Sequence, residues 1–200
     1  MTMVSVRQIK IEPLTDEAFS PFGQVLGRKN TTPNFEARGG STLSWKVDYE
    51  CKGVTEVQYM RVDFQPVWSI DFVERHTEVT QSFIPVNGSP MVFVVAPATD
   101  IKDPASAPDP DKFRAFYMDG TKGVMLNIGT WHSPNRLAVR PPECEFIILS
   151  SIETTEEQKR VRKQGGTHKL THFINFKERF GITFLPVWET YPSLALPVKK

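Results

Sequence analysis

Residues 70–96 read IDFVERHTEVTQSFIPVNGSPMVFVVA. Three short runs in this stretch, Ile70–His76, Gln81–Val86 and Met91–Ala96, are rich in β-branched and aromatic side chains and read as strands. Between the last two, Val86-Asn87-Gly88-Ser89-Pro90 signals a hairpin, because Asn-Gly accepts the positive φ that tight turns require. The same grammar recurs outward in both directions, at Thr42–Asp48, Thr55–Phe64, Phe113–Met118, Val124–Ile128 and Glu145–Ser150. Each run is brief and bounded by Gly, Pro, Asn or Asp. Many short strands joined by tight turns predict an all-β sandwich or jelly-roll barrel over residues 25–150.

Helical signals sit at the edges. Thr15-Asp16-Glu17-Ala18-Phe19 begins as a capped helix and stops at Pro21, so residues 1–24 read as an N-terminal arm with one short helix. Pro97–Asp111, with four prolines and four aspartates, reads as a solvated loop. Thr154-Thr155-Glu156-Glu157 resembles a capping box, opening a charged helix that runs through Lys163 and ends at Gly165-Gly166. Its one apolar interior residue, Val161, predicts a peripheral helix. Beyond Thr167, Phe173, Phe176, Phe180, Phe184 and Trp188 recur every three or four residues and predict an apolar helix face or a mixed docking segment. Residues 151–200 thus read as a C-terminal helix and aromatic tail on a single domain.

Composition excludes several classes of function. The chain of 200 residues carries 24 Lys plus Arg against 23 Asp plus Glu, so it lacks the basic field that nucleic acid or an anionic membrane demands. No stretch approaches the roughly 20 apolar residues of a membrane helix, and Met1–Lys10 lacks a signal peptide's apolar run. Cys51 and Cys144 stand far apart, outside any C-x-x-C pair, and read as reduced thiols. A cytoplasmic protein with a small-molecule site is expected.

Chemistry concentrates at Glu74-Arg75-His76. Side chains two apart on a strand share a face, so Glu74 and His76 point together while Arg75 points away. A carboxylate and an imidazole on one barrel face can hold a divalent metal, or serve as a base and its orienting partner. A solvated strand end with charges of both signs is the plainer alternative. His168 and His172 would share a face if helical, but without a nearby third ligand they read as surface or packing residues.

After His76 come four residues, Gln81, six residues and Gly88. The spacing resembles the first motif of the cupin superfamily, with Glu74, His76 and Gln81 in its ligand positions. Asn127-Ile128-Gly129-Thr130-Trp131-His132 resembles the second motif, which makes His132 the candidate fourth ligand; the asparagine of that motif is displaced to Asn135. The match narrows further. Leu14–Gly23, Glu74-Arg75-His76, Gln81-Ser82-Phe83-Ile84-Pro85 and Trp131-His132-Ser133-Pro134 are similar to the ureidoglycolate lyase family, in order from Leu14 to Ser150. The resemblance implies a cupin-type jelly-roll β-barrel with a few short peripheral helices. It also implies a homodimer that splits ureidoglycolate into glyoxylate and urea during allantoin and purine breakdown, with a divalent metal such as nickel, manganese or zinc.

Under that resemblance Glu74, His76 and His132 are the catalytic candidates, and with Gln81 they are the metal candidates. Arg75, Gln81, Phe83, Asn127 and Trp131 are the candidates for binding a small anionic substrate, Arg75 only if its strand twists or bulges. Two departures stand out. Met125, Leu126 and Asn127 occupy positions where the family often has Asn-Tyr-His, so an amide replaces a titratable imidazole. Ser133 stands where a second histidine often follows the first. Rival readings are another cupin lyase or isomerase acting on a hydroxy or keto acid, and a cupin that binds a small ligand without chemistry.

Overall fold

The computed structural model describes residues 4–134, 136–164 and 168–189. Its strands are β1 (Ser5–Pro13), β2 (Gly23–Leu26), β3 (Phe35–Ala37), β4 (Thr42–Ser44), β5 (Thr55–Asp63), β6 (Phe72–His76), β7 (Gln81–Pro85) and β8 (Met91–Ala96). They continue as β9 (Arg114–Met118), β10 (Gly123–Leu126), β11 (Trp131–His132), β12 (Leu137–Ala138), β13 (Glu143–Ser151), β14 (Thr171–Asn175) and β15 (Ile182–Val187). Helices are α1 (Asp16–Phe19), α2 (Ile152–Gln164) and α3 (Phe176–Phe180). One sheet runs β14-β6-β11-β8-β9-β1-β15, with β12 also paired to β8. A second runs β2-β10-β7-β13-β5, and β3 and β4 form a separate hairpin. The architecture is the expected all-β jelly roll of cupin type.

Strand β8 shows how this arrangement uses alternation. Met91, Phe93 and Val95 join Phe83, Phe116, Val124 and Phe146 in the core between the sheets. Val92, Val94 and Ala96 point the other way, into a second core with Ile9, Ile11, Val73, Trp131 and Phe184. A strand buried on both faces has no polar side to show, which is why MVFVVA is apolar throughout. The second core exists because the larger sheet curls until its ends meet. Ile70, just ahead of β6, exchanges backbone hydrogen bonds with Phe184 of β15 at 2.9 and 3.0 Å.

The curl corrects the reading of both termini. β1 lies parallel to β9 and β15, so the N-terminal arm is part of the wall. The aromatic tail is not one helical face either. Phe173 lies on β14, Phe176 and Phe180 on α3, and Phe184 on β15. Asn175 caps α3 and Gly181, at φ 65°, ends it after five residues, so the three-to-four spacing coincides with helix only across Phe176–Phe180. Phe176 and Phe184 are fully buried in the second core, and burying each contributes roughly 1.5–3 kcal/mol.

Helix α2 begins at Ile152, two residues before the expected start. Ser151 Oγ accepts the Thr154 N–H at 3.2 Å, so the capping hydroxyl is that of Ser151, and Thr154 lies buried in the first turn. Gly165-Gly166 falls outside the described residues. The helix is also less peripheral than its charge suggests: the buried Glu157 carboxylate accepts the backbone N–H groups of Lys169, Leu170 and Thr171 at 2.7–3.0 Å, tying α2 to β14. Among the described residues no helix is long and apolar enough to cross a membrane. Cys51 and Cys144 are free thiols, and burial pushes Cys144 up to about 11.

Candidate active site

Strands β6 and β11 are antiparallel neighbours in which His132 stands opposite Glu74. Cross-strand partners share a face, and His76 joins them two residues along β6. Ligand atoms of Glu74, His76 and His132 lie within 4.8 Å of one another, and all three side chains are buried. The His132 Nε2 to Glu74 Oε1 distance is 3.5 Å, and the two imidazole centroids are 5.3 Å apart. Sequence-remote residues thus meet inside the barrel.

Hydrogen bonds on the far side of each ring determine which nitrogen faces the cluster. His132 Nδ1 contacts the Thr130 carbonyl at 3.2 Å; a carbonyl only accepts, so Nδ1 carries the proton and Nε2 presents a lone pair. His76 Nδ1 meets Thr171 Oγ1 at 3.0 Å. Both Nε2 atoms and Gln81 Oε1 are buried without a hydrogen-bond partner. Leaving a buried acceptor unpaired costs about 1–3 kcal/mol, so three converging ones mark a place for a ligand.

The electrostatics agree. Burial opposes ionisation of Glu74, but its polar neighbours, His132 first and then His76 and Arg136, outweigh it and hold the carboxyl at about 2. Burial, against the pull of Glu74, pushes His76 down to about 4. At neutral pH the cluster therefore offers a carboxylate and a neutral imidazole, the forms that ligate metals. Two imidazole nitrogens and one carboxylate oxygen, each ring steadied through its other nitrogen, suit a divalent ion with positions left open.

The surroundings combine expected and unexpected residues. Phe83 and Phe93 flank His132 with centroids 6.1 and 6.0 Å away, so Phe83 does line the cluster. Gln81, half-buried on β7, has a buried carbonyl oxygen and a side chain close enough to act on the His76 imidazole. Two residues were not anticipated. Gln158 of α2 reaches Glu74 Oε2 at 3.4 Å. Arg136 is buried with its guanidinium carbon 4.1 Å from the Phe83 ring and 4.8 Å from Phe93. Nothing periodic announces either: Arg136 follows a loop, and Gln158 is one polar residue in a charged helix.

Three expected substrate contacts are not at the cluster. Arg75 and Trp131 each precede an inward residue by one position, so alternation sends both to the outer face, where the guanidinium lies 4.5 Å above the indole. Nor does Arg75 meet solvent: it is fully buried beneath the loop after β8, where it bonds Thr99, Asp100, Asp103 and Ser106, and beside His172 of β14. Asn127 is exposed in the turn before β11, where its carbonyl accepts the Thr130 N–H at 3.1 Å. His168 and His172 do not share a helix; His172 lies on β14, and its Nδ1 accepts from Arg75 Nε at 3.1 Å. Asn135 lies outside the described residues.

A jelly-roll barrel enclosing a Glu-His-His cluster with unpaired inward nitrogens defines a cupin with a metal-type centre. The ureidoglycolate lyase family model matches residues 6–168, and the chain belongs to that family. A ureidoglycolate lyase of Pseudomonas savastanoi pv. phaseolicola is 35% identical over 141 residues, covering 64% of this chain and 75% of the relative. One from Azotobacter vinelandii is 33% identical over 151 residues, covering 72% and 85%. A solved RmlC structure from Streptococcus suis overlaps at TM-score 0.32 and 7% identity, over 52% of this chain and 49% of that one. So partial an overlap leaves the fold to be read from the strand topology above.

Proposed function

We propose that this chain cleaves ureidoglycolate to glyoxylate and urea, as a carbon–nitrogen lyase in allantoin and purine nitrogen breakdown. Family membership supports the reading. The single observation that carries it is the convergence of Glu74 and the unpaired Nε2 atoms of His76 and His132 within 4.8 Å. The reaction removes the proton from the carbinol oxygen, forms the carbonyl, breaks the C–N bond and delivers a proton to the departing ureido nitrogen. No net water is consumed.

The buried carboxylate of Glu74 and the lone pair at a histidine Nε2 are the groups able to accept the carbinol proton. An imidazole so protonated then stands beside the leaving nitrogen as its acid. Gln81 offers a carbonyl oxygen to an N–H of the ureido group, and its amide N–H groups can donate to the ureido oxygen. Phe83 and Phe93 exclude water around His132, which strengthens each of these interactions. With a divalent ion held by Glu74, His76 and His132, and Gln81 as a weak fourth donor, those lone pairs would be engaged, and the ion would supply instead the Lewis-acid polarisation that lowers the pKa of the carbinol oxygen.

The same reading includes a homodimer in the cytoplasm. Free thiols fit that compartment. The exposed Val57 and Tyr59 of β5, the edge strand of the smaller sheet, provide an apolar strip for a second copy. The test is release of urea and glyoxylate from ureidoglycolate by protein purified without chelator, across nickel, manganese and zinc. Turnover stimulated by one of these ions is expected. Absence of both products under every ion would remove the lyase reading.

A further inference from the structure

We propose that Arg136 receives the carboxylate of the bound anion and so sets which end of the substrate faces Glu74, His76 and His132. The lyase reading supplies the identity of the substrate; the anion subsite itself stands on the geometry of Arg136.

Arg136 is only 5% exposed, and its charge is retained, since burial, against the pull of Glu74, lowers it only to about 10. A buried guanidinium needs its charge and its N–H groups met, by a carboxylate or, as at Arg75, by a full set of carbonyls and hydroxyls, because an unsatisfied buried charge is strongly destabilising. Among the described residues none lies within ion-pair distance of Arg136. Nη1 donates to the Ser133 carbonyl, but Nε is buried with no partner. Nε belongs to the side edge with which a guanidinium grips a carboxylate through two parallel bonds. The charge is therefore incompletely satisfied on one edge.

That edge is close to the chemistry. Arg136 and His132 both pack on the Phe83 and Phe93 rings, and the Arg136 charge is felt at Glu74 and His76, so an anion at Nε shares the barrel interior with the Glu-His-His cluster. Arg136 also lines a surface cleft of about 490 Å³ together with Arg61, Asp63, Gln65, Ser69 and Pro134. Held there by its carboxylate, a 2-hydroxy acid presents its carbinol carbon to the cluster, whereas a neutral amide loses the paired bonds.

Glyoxylate, the carboxylate product, is the probe, titrated by calorimetry into wild type, Arg136→Gln and Arg136→Lys with metal content measured in each. Arg136→Gln should weaken glyoxylate binding at least 30-fold and raise the KM for ureidoglycolate similarly, without changing metal content. Arg136→Lys should recover part of both. In wild type, the Arg136 Nε–H resonance, assigned by its loss in Arg136→Lys, should shift on adding glyoxylate and stay fixed on adding glyoxylamide. That reading needs no folded glutamine variant. Unchanged glyoxylate affinity in a folded Arg136→Gln, or an Nε–H resonance indifferent to glyoxylate, overturns the proposal. If glyoxylate binding depends on Arg136 yet no urea is released from ureidoglycolate, the subsite stands and the lyase reading falls.

Discussion

Strands β6 and β11 carry buried polar groups on both faces, and the two faces are opposites. On the outer face Arg75 engages all three guanidinium nitrogens: with His172 Nδ1, with the carbonyls of Thr99, Asp100 and Asp103, and with the hydroxyls of Thr99 and Ser106. Trp131 adds its indole N–H to the Thr99 hydroxyl at 3.0 Å. On the inner face His76, His132, Gln81 and Arg136 each keep a buried atom without a partner. Burial is common to both, so burial does not separate structure from function here. Satisfaction does: a closed network pins the loop after β8 to the sheet, and an open one awaits a ligand.

The largest expected effect follows from the open face. His76→Ala and His132→Ala should each lower kcat/KM by about a thousandfold or more, roughly 4 kcal/mol of transition-state stabilisation. Neither should unfold the protein, because removing the unpaired Nε2 acceptor offsets part of the cost of the lost Nδ1 bond and of the space left behind. Urea release and thermal denaturation check the pair of claims, and a variant that unfolds instead would erase the contrast.

The closed face should respond in the opposite sense. Arg75→Leu strands several buried carbonyls and hydroxyls at once, for a loss of about 3 kcal/mol in denaturant unfolding. Its kcat/KM, measured well below the melting transition, should stay within about threefold of wild type. A rate loss matching that of the histidine variants would return Arg75 to the substrate.

What the sequence revealed of this contrast was its local half. Alternation placed Glu74 with His76 and turned Arg75 away, and the apolar run at Met91–Ala96 marks β8 to the residue. The fate of Arg75 and Trp131 was hidden, because the groups that cover and bond them, from the loop after β8 and from His172, stand 24 to 97 positions away along the chain. β14 and β15 were misread as parts of a helical stripe for the same reason: their aromatic spacing is helical, but the sheet edges that claim them are remote. Arg136 stayed invisible because a loop residue has no period to betray its direction.

Acid should act mainly through the open face. In chelator-treated protein the folded pKa of His76, about 4, is below its ordinary 6.5, so the folded state binds fewer protons in that window. Stability is therefore fully present above pH 6.5 and falls as pH drops through about 4, by no more than about 3 kcal/mol from this residue. Glu74, held at about 2, extends the decline below pH 4.5. His76→Ala should flatten the upper part of the curve. The slope that remains is due to His168 and His172, which burial also pushes down. An unchanged slope in His76→Ala would mean that the outer face controls the acid response.

The smallest effect examines how the open face is held in place. Thr171 lies on β14, beyond residue 168 where the family match ends, yet its hydroxyl is 3.0 Å from His76 Nδ1 and its N–H bonds the Glu157 carboxylate at 3.0 Å. Such a hydroxyl orients the ring and biases its tautomer, so that Nε2 stays aimed at the cluster with Glu74 and His132. Thr171→Val keeps the shape and the backbone bond but deletes that contact, and kcat/KM should fall about tenfold, equivalent to about 1.4 kcal/mol. Thr171→Ser retains the hydroxyl and should stay near wild type. The valine variant should unfold within about 1 kcal/mol of wild type, so a rate loss without a stability loss places Thr171 with the inner network. Equal rates in the valine and serine variants would show that packing alone orients His76, and that β14 serves this site only as a wall.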